Sequence, residues 1–207
     1  MTMSSDQSND DFKKEPGAEF DQHRGRLKRM IDLRLNPRLR GRVDPSDIIQ
    51  DTLIEAHRRQ EEYSAERMPY YLWLRMIATR NLIDAHRQHL GTQKRDAARE
   101  FSMNRRYGPK ANSVSLAAQL MGTLTTASRA AMRLELRERL HDTLNQMEDL
   151  DREILSLRHF EQLTNAEIAQ VLEISPNAAS NRYIRALHRL RTIIQSTPGF
   201  EDSQGSS

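Results

Sequence analysis

The apolar residues of this chain recur at steps of three and four, the period of helices that bury one face. Residues 1–16 are rich in Ser, Asp, Asn and Lys and read as a disordered tail. From Glu19 to Leu35, the residues Phe20, Leu27, Met30, Ile31 and Leu35 mark a basic, weakly amphipathic helix that Asn36-Pro37 ends. Asp44-Pro45-Ser46-Asp47 opens a second helix, with proline in the first turn and acids at the positive helix end. Ile49, Leu53 and Ala56 fall on one face of it. Pro69 starts a third helix that runs to about Leu90, with Tyr70, Trp73, Leu74, Ile77 and Ala78 as its buried stripe. Residues 100–130 then change character. Gly108-Pro109 leads into Ser, Thr, Gly and Ala, with a short apolar patch from Leu116 to Met121, which reads as a linker with one short helix. The helical pattern resumes near Met132 with Leu134, Leu140, Leu144 and Met147, and again near Asp151 with Leu150, Ile154, Leu155 and Leu157. Two more helices follow, and the chain is polar from Pro198 onward.

Composition agrees with helices. Only 8 Gly, 7 Pro and 5% aromatic residues argue against an all-β fold. A length of 207 residues has room for two small domains. The expected fold is therefore all-α: two small helical domains joined by a flexible linker, the C-terminal one a helix-turn-helix. There is no cysteine, which excludes disulfides, zinc ribbons and thiol catalysis. The N-terminus lacks the apolar core of a secretory signal, and no run is long enough to span a bilayer, so a cytoplasmic location without membrane contact is expected.

Charge is more informative in its distribution than in its total of +3. Between Asp44 and Glu66 lie seven acids, Asp44, Asp47, Asp51, Glu55, Glu61, Glu62 and Glu66, against Arg58 and Arg59. The third helix turns basic in its later part and beyond, through Arg75, Arg80, Arg87, Lys94, Arg95 and Arg99.

The strongest local signal lies near the C-terminus. Thr164-Asn165-Ala166-Glu167 is a capping box, opening a helix that buries Ile168, Ala169 and Leu172. Ile174 plugs the core from the turn, and Ser175-Pro176 restarts the chain as N-cap and first helical residue. The next helix places Ala179, Tyr183, Ala186, Leu187, Leu190 and Ile194 on one side. Its other side shows Asn177, Asn181, Arg185 and His188, flanked by Ser180, Arg182 and Arg189. From Ser175 to Phe200 there are four Arg and no acid. Such a face suits the major groove. Asn reads adenine edges, and arginines further along hold phosphates and fix register. Asn177, Ser180, Asn181, Arg182 and Arg185 are the candidate DNA contacts.

Two blocks together carry a family resemblance. The first is Asp47-Ile-Ile-Gln-Asp-Thr-Leu-Ile-Glu-Ala56 with Tyr71-Leu-Trp-Leu-Arg-Met-Ile-Ala-Thr-Arg-Asn-Leu-Ile-Asp84, which looks like sigma region 2. The second is Leu150-Asp-Arg-Glu-Ile-Leu-Ser-Leu-Arg158 with Leu163 to Leu172 and Ser175 to Leu190, which looks like sigma region 4. In this order on a short chain, they resemble a bacterial RNA polymerase sigma factor of the small extracytoplasmic-function class of the sigma-70 family. The resemblance implies a region 2 domain over 17–99, a linker over 100–131, a region 4 domain over 132–196 and a polar tail over 197–207. It implies that Asp47, Gln50, Asp51 and Glu55 dock on the core polymerase. It places Trp73, Arg75, Arg80, Asn81 and Arg87 at the minus-ten promoter element, which they would bind and open. The C-terminal helix-turn-helix would read the minus-thirty-five element in the major groove. The implied partners are RNA polymerase core enzyme and promoter DNA, with an anti-sigma factor as a common third.

Gln162 and Glu173 stand where the family commonly has glycine, and Ala179 where a valine is usual. No catalytic constellation, cofactor motif or metal motif is legible. His86 and His89 lack a third ligand at a sensible spacing. The competing reading is a helix-turn-helix regulator that binds DNA without sigma activity.

Overall fold

In a computed structural model of the chain, residues 16–90, 109–124, 138 and 140–196 are described. The expected N-terminal tail, the basic stretch with Lys94, Arg95 and Arg99, the helix start at Met132 and Leu134, and the polar tail from 197 lie outside the described residues.

Among the described residues the fold is all-helical, in two domains. The front domain holds α1 (Pro16–Arg34), α2 (Pro45–Arg58) and α3 (Tyr70–Leu90). Single 3-10 turns, Pro37–Leu39 and Gln60–Glu62, lie in the two connections. Helix α4 (Ser113–Leu124) follows and packs on α1. The rear domain holds a short helical stretch over 140–145, then α5 (Asp149–His159), α6 (Asn165–Leu172) and α7 (Pro176–Ser196).

Three helices begin where their cap chemistry dictates. The Asp44 carboxylate accepts from the Ser46 amide at 2.8 Å, and Pro45 follows as first helical residue. This satisfies one of the donors that every helix start leaves orphaned. Both halves of the Thr164 capping box form. The Glu167 amide donates to Thr164 Oγ1 at 3.2 Å, and the Thr164 amide donates to Glu167 Oε2 at 2.7 Å. The Ala178 amide donates to Ser175 Oγ at 3.2 Å and starts α7.

Packing departs from the expected stripes in three places. In α2 the buried set is Ile48, Ile49, Thr52 and Ala56, and Leu53 turns outward at 37% exposure. The Thr52 hydroxyl donates to the Ile48 carbonyl at 2.6 Å, which lets a polar residue sit inside. In α7, Ala179 and Ala186 are buried, whereas Leu187 is partly exposed, at 37%. Helix α3 is enclosed on nearly all sides between Tyr71 and Ala78, with only Met76 exposed. A one-sided stripe predicted from spacing thus becomes a helix covered by α1 and α2 on one side and reached by the rear domain on the other. Burying Leu74, Ile77 and Leu82 completely contributes roughly 1.5–3 kcal/mol each.

Candidate nucleic-acid and protein interfaces

In the rear domain, a non-glycine residue holds the turn between α6 and α7. Glu173 adopts φ 51° and ψ 43°, the left-handed region, and its amide closes α6 onto the Ala169 and Gln170 carbonyls. Gln162, in the preceding connection, also has positive φ, at 55°. These are the two positions where glycine was expected on resemblance. Each costs on the order of 1 kcal/mol in a residue with a Cβ.

Helix α7 is set on α5 by a buried acid. Asp151, 1% exposed, accepts from Arg189 Nη1 and lies 3.4 Å from Arg182 Nη1. Glu148 supports both arginines from the surface, at 3.8 and 3.3 Å. Arg182, expected at the flank of the outward face as a DNA contact, is in this arrangement a tether between α7 and α5. The outward stripe consists of Asn177, Asn181, Ile184, Arg185 and His188, with Ser180 half-buried at its margin. Ile184, 49% exposed, is an apolar member of this face that the polar pattern of the sequence does not mark. It lies three residues after Asn181 and seven after Asn177, so the same spacing would have found it.

In the front domain, Asp47, Gln50 and Asp51 are exposed on α2, with Ile54 at 49% continuing their stripe. Glu55 is half-buried and engaged, 3.0 Å from Arg59 Nη1 and 3.5 Å from Arg80 Nη1. Beside them an apolar cleft is lined by Leu53, Ile54, His57 and Tyr70.

The minus-ten candidates are divided. Arg80 and Arg87 are exposed, Arg87 lying 3.6 Å from Asp84. Asn81 sits against Thr52 and Glu55. Trp73 is buried at 4% beneath Tyr63 and Tyr70, with ring centroids 5.2 and 5.6 Å away. The half-buried tyrosines, not the indole, form the outer edge of this aromatic cluster.

Arg75 is buried in a cluster that joins the domains. Its Nε donates to Glu161 Oε2 at 2.7 Å, and its Nη2 lies 3.4 Å from Glu153 Oε1. Arg34 pairs with the same two carboxylates, lying 2.6 Å from Glu161 and in closer contact with Glu153. The Tyr71 hydroxyl donates to Glu161 Oε2 at 3.0 Å. Burial pushes the Glu161 carboxyl up, but Arg34 and Arg75 outweigh it and hold the group below the usual carboxylate range. Burial likewise opposes the Arg34 charge, and Glu153 and Glu161 override it. Burial, with the Glu161 charge beside it, raises the Tyr71 phenol well above its ordinary value. Sequence spacing gave no sign of this cluster, because Arg75 and Glu161 are 86 residues apart.

Among the described residues, no group of three His, Asp or Glu is placed to hold a metal, and no helix is long and apolar enough to cross a membrane.

Residues 137–190 match the family described as sigma-70, region 4. No curated protein matches the sequence. Among solved structures, the chain is similar to CnrH in complex with the cytosolic domain of CnrY, at 20% identity over 87% of each chain and a TM-score of 0.50. A second is the sigma factor RpoE in complex with the anti-sigma factor NepR from Bartonella quintana, at 18% identity, 86% of this chain and 98% of that one, and a TM-score of 0.46. The likeness to CnrH is one of fold.

Proposed function

We propose that this chain, a sigma factor by its region 4 and of the extracytoplasmic-function class by its two-domain helical fold, serves as the promoter-specificity subunit of RNA polymerase. The observation that carries the proposal is a pair of opposed outward stripes on one chain. The stripe on α2 is acidic, and the stripe on α7 is polar and basic.

The α2 stripe, Asp47, Gln50 and Asp51 with Glu55 at its edge, is the docking surface for the polymerase core. An acidic face steers association with a basic partner, and the exposed Ile54 in its midst supplies apolar contact. The α7 stripe enters the major groove at the minus-thirty-five element. Asn177 and Asn181 read base edges, and Arg185 holds the backbone. Ile184 suits a thymine methyl, the one apolar group that base pairs display in that groove. At the minus-ten element, Arg80 and Arg87 bind phosphates, and the edges of Tyr63 and Tyr70 offer stacking faces for unpaired bases. Two weak DNA contacts become useful once polymerase holds both domains on one duplex. The role is one of binding and positioning, carried out in the cytoplasm, without chemistry of its own. An anti-sigma protein is a fitting antagonist, by analogy with the complexes named above.

The test is run-off transcription with core polymerase and genomic DNA, followed by mapping of start sites. The double variant Gln50→Ala/Asp51→Ala should weaken association with core while leaving helicity unchanged. Asn181→Ala or Arg185→Ala should lower promoter use roughly 5- to 100-fold without affecting core binding, the loss expected for one base-reading or backbone-anchoring side chain. A wild-type chain that fails to bind core polymerase at low salt overturns the proposal.

A further inference from the structure

Helix α7 carries all four arginines that lie between Ser175 and Phe200, and the rear domain treats them in two ways. Arg185 and Arg191 are exposed, with no acid in ion-pair range among the described residues. Arg182 and Arg189, seven positions apart, lie on one flank of the helix and converge on the start of α5. Arg189 Nη1 donates to Asp151 Oδ2, and Arg182 Nη1 lies 3.4 Å from Asp151 Oδ1, so each carboxylate oxygen serves one guanidinium. The Asp151 side chain is only 2% exposed. Glu148, at the surface, backs both arginines, 3.8 Å from Arg182 and 3.3 Å from Arg189. The remaining acid there, Asp149, pairs instead with Arg152 and Lys110.

We propose that Asp151 is a specificity-determining residue for promoter reading: with Glu148 behind it, it withholds Arg182 and Arg189 from the DNA backbone, so that α7 chooses its site through the outward stripe. This rests on the reading of α7 as the helix that enters the major groove. Width supplies the first argument. A helix with its side chains is about 10–12 Å across, and the major groove is about 12 Å wide. A helix seated there turns one face to the base edges and its flanks to the two walls of phosphates. Asn177, Asn181, Ile184 and Arg185 hold the face. Arg182 and Arg189 hold a flank, where a cation would meet phosphate, and two carboxylates of the same domain already occupy their guanidinium groups.

Burial supplies the second argument. Asp151 is 1% exposed, so parting it from both arginines would strand a charge inside the domain. A phosphate contact at the groove wall, screened by water and salt, stabilises less. The arginines therefore stay with the acid when DNA arrives. The consequence is for selectivity. A phosphate contact strengthens binding to every sequence alike, whereas a base contact strengthens binding to one. A genome offers on the order of a million or more competing sites, so the ratio of the two kinds of contact matters more than their sum. Neutralising two of the four arginines of α7 raises that ratio.

The test measures how binding of the full chain to short duplexes depends on salt. One duplex carries the minus-thirty-five segment of a promoter mapped by run-off transcription, and the other carries the same bases shuffled. Asp151→Asn keeps the shape of the side chain and removes its charge. On the shuffled duplex it should steepen the fall of the logarithm of the binding constant with the logarithm of salt by about 0.9 for each arginine freed, and should tighten binding roughly fivefold or more at low salt. The preference for the promoter duplex should fall by a similar factor. Glu148→Gln, an exposed change that leaves the buried pair in place, should move both readouts the same way by less. Adding Arg182→Gln and Arg189→Gln to Asp151→Asn should restore the wild-type slope, a rescue that a loosened α7 would not give. An Asp151→Asn chain with unchanged helicity and a slope equal to or shallower than wild type overturns the inference. If Asp151→Asn does not fold, an unchanged slope in Glu148→Gln overturns it instead. The two proposals fail separately. The slope on shuffled DNA tests the arginines alone, whereas equal binding of both duplexes by the wild-type chain, with the slope response intact, refutes only the reading of α7 as the promoter-reading helix.

Discussion

The two helices credited with DNA contact, α3 and α7, present themselves in opposite ways. In α7, the polar and basic stripe faces outward, and Arg182 and Arg189 at its flank are tied to Asp151 within the same domain. In α3, the arginine at the centre of the expected set, Arg75, is spent on the other domain, and Trp73 is roofed by tyrosines. Both helices are 21 residues long and carry several arginines. The difference is where the compensating carboxylates come from. An acid inside the domain fixes which face of α7 turns outward, whereas acids from the other domain cover part of α3.

The sharpest way to break this comparison is to ask whether the domains unfold separately. Leu74 is fully buried in α3 and Leu172 nearly so in α6. Leu74→Ala and Leu172→Ala should each cost about 3 kcal/mol. In urea denaturation followed by domain-specific probes, each should move one transition and leave the other in place. Transitions that shift together in both variants would mean that the chain is one cooperative block, and the contrast between cover from within a domain and cover from its neighbour would disappear.

A second effect, of up to about 3 kcal/mol, separates the domains by pH. His86, on the inner side of α3, accepts from the Asn36 amide at 3.3 Å, and burial lowers its pKa to about 4. The unfolded chain, with His near 6.5, binds the proton more readily than the folded one. The stabilisation is thus complete above pH 6.5 and is lost as pH falls from there toward 4. The urea midpoint of the front transition should fall over that window, and His86→Gln should flatten the fall. A front transition equally pH-dependent in both proteins would refute the assignment.

The smallest effect tests the outward stripe at a single methyl group. Replacing thymine by uracil, one position at a time, removes only the 5-methyl. At one position of the minus-thirty-five element this should weaken holoenzyme binding about fourfold, as expected for losing ~0.8 kcal/mol of apolar contact. Ile184→Ala should abolish that sensitivity. Equal losses in variant and wild type would show that Ile184 stands clear of the bases.

What was legible in the sequence is what short-range chemistry decides. Asp44, Thr164 and Ser175 announced three helix starts, because a cap needs only its own next few residues. Asn177, Asn181 and Arg185 could be placed on an outward face from spacing alone. The glycine-type turns were visible as departures at Gln162 and Glu173, and both do take positive φ. The partners of Arg75 and Arg182 were not legible. A basic residue on a helix is solvated by default, and only the fold brings Glu161 or Asp151 within reach. Trp73 was legible as part of the buried stripe of α3, but its cover by Tyr63 was not, because that tyrosine lies ten residues earlier in the connection.

The two left-handed residues have a mechanical consequence. Gln162 and Glu173 bracket the eight residues of α6. Glycine at either place would relieve local strain but would let the backbone sample far more conformations. Side chains there make stiff elbows. Beyond the second elbow, α7 extends for 21 residues, a lever roughly 30 Å long. A ten-degree error at its base would swing its far end by about 5 Å, more than the rise of one base-pair step of about 3.4 Å. On the proposed docking of α7 in the major groove, rigidity at two inconspicuous corners would govern where along the duplex the helix comes to rest.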